Sequence, residues 1–141
     1  MANIIPFAFR GELFSGTHNF ANGGNSFKIA LYTGNPYSTS STAYLTAQEV
    51  SASNTGYTTG GQVLGSQAVA SGTAVASIDF ADSALTSATF TAAFAAIYND
   101  TNSDKLCVVL DFGGNKTATN GTFTISFPNP STPANAIISM A

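Results

Sequence analysis

Few side chains in this sequence are equipped for chemistry, and each group can be weighed by its spacing. Asp100-Thr101-Asn102-Ser103-Asp104 has the acidic spacing that opens a calcium loop, where alternate side chains converge as oxygen ligands. Lys105 stands where glycine should follow, and no glutamate comes at the required offset, so the segment reads as a solvated hairpin turn. His18 is the sole histidine, so a zinc site would have to recruit Cys107 and distant carboxylates. A Ser-His-Asp relay would have to form without a Gly-x-Ser-x-Gly turn, which leaves His18 as a loop histidine with no catalytic duty. Asp79, Asp82 and Asp111 fall at expected strand ends, where carboxylates cap turns, and an enzyme would need them to converge in one cleft. Glu12 is expected to pair locally with Arg10. The reading is therefore non-enzymatic, with no catalytic, cofactor-binding or metal-binding residues.

Composition points the same way. Asp, Glu, Lys and Arg make up 8% of the 141 residues, against roughly a quarter in an ordinary soluble protein. Such a chain has little material for acid/base work or charged ligands, and its surface suits packing against other protein. The net charge is −3, and Arg10, Lys28, Lys105 and Lys116 are scattered, so no basic stripe exists to follow a phosphate backbone. Nucleic acid is not expected as a partner. Cys107 is the only cysteine and sits in Leu106-Cys107-Val108-Val109-Leu110, the setting of a small buried hydrophobe. The N-terminus lacks the basic start and apolar run of a secretory signal, and no window has the ~18 apolar residues of a membrane span. Folding in a cytoplasm is expected. The Thr-, Ser-, Asn- and Gly-rich texture is common outside cells, and a virion component assembled in the host cytoplasm and released by lysis satisfies both observations.

The elements that would position these residues are mostly strands. Residues 1–25 read as an N-terminal arm and a Gly/Asn loop, and residues 26–141 as a single β domain. Over Pro6 to Phe14 the spacing allows either a short helix, with Pro6 at its first position, or an extended arm. Asn22-Gly23-Gly24-Asn25 then marks a loop. From Phe27 to Thr33 residues alternate, with Phe27, Ile29, Leu31 and Thr33 on one side. Thr46-Ala47-Gln48-Glu49 matches a capping box, so a helical turn is expected there. Strand signals follow over Gln62–Ala70, Thr73–Phe80, Ala88–Tyr98, Lys105–Phe112, Gly121–Phe127 and residues 134–140, with turns at 82–83, 99–104 and 113–120. This rhythm implies a mainly β fold, an antiparallel sandwich or jelly-roll-like barrel.

Aromatic residues suggest where a partner would sit. Eleven phenylalanines and no tryptophan suit a phenylalanine-filled core, with Phe80, Phe90, Phe94, Phe112, Phe123 and Phe127 facing inward. Phe7, Phe9, Leu13 and Phe14 cluster in an arm too short to build its own core, and are expected to anchor it on a neighbouring subunit. The alternative is that the arm folds back over its own domain. Tyr37, Tyr44 and Tyr57 fall in the polar stretch from Gly34 to Gly61, where exposed phenols would contact a protein partner or a sugar and buried ones would pack beneath the loop.

The chain also resembles small virion structural proteins of tailed bacteriophages. The likeness lies in Phe27-Lys28-Ile29-Ala30-Leu31-Tyr32-Thr33, in Glu49-Val50-Ser51 leading to Gly56-Tyr57-Thr58-Thr59-Gly60-Gly61, and in Ala96-Ile97-Tyr98-Asn99-Asp100-Thr101. It continues in Val109-Leu110-Asp111-Phe112-Gly113-Gly114 and Gly121-Thr122-Phe123-Thr124-Ile125. The resemblance implies a virion part and supplies no functional residues. Within that group, size, β-richness, low charge and an apolar arm look like a capsid decoration, or cement, protein. Such a protein binds the outer capsid surface, ties capsomers together, and forms homo-oligomers, often trimers. Its partner would be the major capsid protein or another virion protein. The competing expectations are a tail, collar or fibre component, and a carbohydrate-binding host-attachment module.

Overall fold

The computed structural model describes residues 3–128 and 136–140. The fold is mainly β, with two antiparallel sheets and one short N-terminal helix, an arrangement consistent with a β-sandwich. Helix α1 (Phe7–Phe14) follows Pro6, whose extended backbone (φ −62°, ψ 151°) starts it without a side-chain cap. Strand β1 (Phe27–Tyr32) lies between β2 (Gln62–Val63) and the long β5 (Ser83–Asn99), and β6 (Lys105–Ile125) closes that sheet in the order β2-β1-β5-β6. The second sheet is β3-β4-β7, formed by Ala68–Ser71, Ala76–Asp79 and Ile138–Met140. The strand expected over 134–140 lies partly outside the described residues.

Alternation explains why β1 is central. Phe27, Ile29 and Leu31 enter the main core with Phe80, Ile97 and Ile138, whereas Ala30 and Tyr32 enter a second apolar cluster with Tyr37, Tyr98, Leu106 and Val109. The sheet is thus covered on both faces. Thr33, expected beside Leu31, lies beyond the strand and is exposed.

Three expectations about chain path are corrected. Gln62 to Ala70 is two strands rather than one, interrupted near Gly65 and Ser66, where Ser66 has φ 52°. Residues 113–120 do not reverse the chain, because β6 continues through them and stays paired with β5 from Lys105 to Ile125. One β5 residue, Ala93, there faces the β6 segment Phe112 to Asn115, between the pairs Ala92↔Lys116 and Phe94↔Asp111. Gly113 (φ 74°) and Gly114 (φ 141°) supply the backbone of a large bulge, which bends a ladder without ending it. The bend is large. A straight strand would separate Phe112 and Phe123 by roughly 35 Å, yet their ring centroids are 6.2 Å apart.

The third correction concerns Thr46 to Glu49. Its residues form a tight turn with Gln48 at φ 61°, and Tyr32 bridges to Glu49. The Glu49 side chain goes inward instead of capping a helix, for reasons given below. Gly61 (φ 80°) shows how close the following turn comes to the sheet, since a Cβ there would collide with the Ile29 carbonyl oxygen.

Candidate functional site

Helix α1 is divided by its packing. Phe9 is fully buried in the main core beside Phe20 and His18, and Leu13 is partly buried against it. The segment therefore folds onto its own domain through Phe9, contrary to the expectation that Phe9 anchors the arm on a neighbour. Upstream, Ile4 pairs with Val109 through two backbone hydrogen bonds of 2.8 Å. Phe7 and Phe14 stand outward with 61% and 93% of their surfaces exposed. They are seven residues apart and so share a helix face, with Gly11 between them opening free space. Arg10 lies over the Phe7 ring at 5.3 Å and donates to the Ile5 carbonyl, leaving Glu12 for other partners.

Glu12 is the centre of a partly buried polar network that local pairing did not anticipate. Its Oε1 accepts from Lys105 Nζ at 2.8 Å and its Oε2 lies 2.7 Å from His18 Nε2. The other ring nitrogen, Nδ1, is 3.0 Å from the Asn99 amide nitrogen, which can only donate. The Nε2–H tautomer satisfies both contacts, so His18 donates to Glu12. Asn99 also donates to Asn25 Oδ1 and accepts from the Asn102 backbone, while Asn102 donates to the Thr17 carbonyl. Burial raises the Glu12 pKa, but the hydrogen bonds from Lys105 and His18, together with the Lys105 charge, outweigh it and hold the carboxyl below its ordinary range.

Cys107 Sγ is 3.8 Å from His18 Nδ1, which completes a Glu-His-Cys series in space. Burial first, then the Glu12 charge, pushes the thiol pKa far up. A buried protonated thiol is a poor nucleophile. Cys107 occupies a bulge between the pairs Ile97↔Val108 and Tyr98↔Leu106, and it enters the main core as expected for a small hydrophobe.

The tyrosines are turned inward. Tyr37 and Tyr57 are buried, and Tyr44 is partly buried against Tyr98, with ring centroids 4.7 Å apart. Tyr44 and Tyr57 hydroxyls each donate to Glu49 at 2.6 Å, and the Gly60 backbone donates to the same carboxylate at 2.7 Å. The Tyr57 hydroxyl also accepts from Leu31 N–H, and the Tyr37 hydroxyl is 2.6 Å from that of Tyr32. An exposed protein-contact or sugar platform of Tyr37 and Tyr57 is therefore corrected: their rings fill space and their hydroxyls satisfy internal groups. One signal was present in the sequence. Glu49 is the only charged residue from Gly34 to Gly61, alongside three tyrosines.

Three other carboxylates have partners of their own. Asp100 pairs with Lys28 at 3.0 Å, Asp82 Oδ1 accepts from Phe127 N–H, and Asp111 Oδ1 accepts from Gly113 N–H. That last bond lowers the Asp111 pKa. Among the described residues no group of three His, Cys, Asp or Glu is placed to hold a metal ion. No described helix is long and apolar enough to cross a membrane. Comparison with family models, curated proteins and solved structures gives no match to the chain.

Proposed function

We propose that this chain is a non-enzymatic virion structural protein, a head decoration (cement) protein that binds the outer capsid surface and stabilises contacts between capsomers. The observation that supports this reading is the outward pair Phe7 and Phe14 on a helix whose opposite side is anchored by Phe9 and Glu12. An exposed phenylalanine pair on a rigid support loses little entropy on docking, and each ring buried is worth roughly 1.5–3 kcal/mol. The expected mode is additive burial against a major capsid protein or another virion protein, within a homo-oligomer.

Gold-labelled antibody imaging of lysate particles tests this assignment. Label spread over heads supports capsid reinforcement. Label confined to tails would replace it with a tail, collar or fibre role. Absence of particle label would overturn the virion reading and return attention to a carbohydrate-binding module, which would need a platform other than Tyr37 and Tyr57.

A further inference from the structure

We propose that the outer edge of β6, from Lys116 to Ile125, pairs antiparallel with the same edge of a second copy of this chain. β6 is the last strand of its sheet, so one side of its backbone faces away from β5. The first part of that side is already covered: Ala43 bridges Lys105, Ile4 pairs with Val109, and Asn3 Oδ1 accepts from Asp111 N–H. Beyond the Gly113–Gly114 bulge, no described residue makes a backbone hydrogen bond across that edge as far as Ile125. The edge that takes Ile4 as a short strand thus continues without a described partner. A cleft of about 490 Å³ runs beside it, bordered by Phe112, Thr117, Phe123 and Ser126.

Pattern and charge favour a copy of the same strand as the occupant. Thr122 and Thr124 are exposed, whereas Phe123 and Ile125 are buried on the opposite face. A two-fold axis perpendicular to the sheet keeps like faces together, so threonines meet threonines and the phenylalanine layer continues from one copy to the next. The cleft beside Phe112 and Phe123 is where that layer would extend. Lys116 is the only charged residue from Phe112 to Ile125, and no proline interrupts the run, so the usual charge and proline protection of an edge is slight. The bulge at Asn120 (φ 47°) limits regular pairing to short runs on either side. An edge contact of this length falls below the roughly 1,000 Å² of a stable interface, so the dimer should dissociate on dilution.

This inference rests on the reading of the chain as an assembling protein, but not on which particle contains it. Sedimentation velocity of the full chain, from micromolar to several hundred micromolar, provides the test. A concentration-dependent monomer–dimer equilibrium is expected. The T122K/T124K and T122E/T124E variants should each raise the dimer Kd about tenfold or more, because like charges face each other, and an equimolar mixture should restore association. S53K, a substitution on an exposed loop, should leave Kd unchanged. A strictly monomeric wild type, or charged variants that dimerise like it, would overturn the proposal. A monomeric protein that still labels particles would sink only this inference, whereas a dimer that labels none would sink only the virion assignment.

Discussion

Lys105 Nζ and Glu12 Oε1 are 93 residues apart in sequence and 2.8 Å apart in space, which ties the N-terminal helix to the start of β6. His18 occupies the second carboxylate oxygen, so Glu12 holds helix, loop and hairpin together. Glu12→Gln should cost about 1–3 kcal/mol in chemical denaturation, because it weakens both charge-assisted bonds at a partly buried site. The pH dependence follows in sign. A carboxyl depressed in the folded state stabilises above its ordinary value of 4.5 and loses that contribution as pH falls through the folded value. The variant should therefore show a smaller loss of stability on acidification below about pH 4.5 than wild type.

The two sides of α1 should respond differently to truncation. Phe9→Ala removes a fully buried ring and should cost about 3–5 kcal/mol. Phe7→Ser with Phe14→Ser should shift stability by only about 0.5 kcal/mol per site while weakening attachment to heads in a particle-binding assay. Deleting residues 1–20 removes Phe9, Glu12, His18 and Phe20, so it should unfold the domain rather than merely detach it, as circular dichroism would reveal. Full particle binding by the double serine variant would discard the helix face as the attachment site.

Glu49 is the acceptor that lets two tyrosines lie beneath the loop. Replacing it with alanine strands the Tyr44 and Tyr57 hydroxyls and the Gly60 N–H, at an expected cost of about 2–4 kcal/mol. Tyr57→Phe should cost less, about 1–2 kcal/mol, although it also removes the acceptor of Leu31 N–H. Equilibrium denaturation of the two variants checks the order.

Alkaline titration should separate folded from unfolded phenols. Burial first, then the bond to Glu49, raises the Tyr44 and Tyr57 pKa values, and burial followed by the bond to Tyr37 raises that of Tyr32. A phenol raised in the folded state stabilises fully below its ordinary value of 10.0, and the contribution is lost as pH climbs above it. Phenolate absorbance from these rings should appear together with loss of near-ultraviolet ellipticity, not as a separate titration near pH 10.

Gly61→Ala should be among the most harmful small substitutions, costing about 2 kcal/mol or more. The added Cβ meets the Ile29 carbonyl in the middle of β1, and φ of 80° disfavours any side chain. Thermal unfolding would measure it; a Tm unchanged from wild type would show that this turn can move away from β1.

Local pattern by itself determined the mainly β class, the inward face of Phe27, Ile29 and Leu31, the burial of Cys107 and the turn at 99–104. Alternation, apolar runs and turn residues act over a few neighbours, so they are readable without knowing what lies across the sheet. Only the tertiary structure decided which phenylalanines of α1 point outward, since the environment of Phe9 is built by Phe20 and the strands beyond it. The same holds for Gly113 and Gly114, whose positive φ values suit a turn or a bulge equally well. Continued pairing with β5 made them a bulge. His18 and Glu12 likewise acquired their roles from Asn99 and Lys105, 81 and 93 residues away. Buried polar groups must find partners wherever the fold brings them, and sequence distance carries no record of that choice.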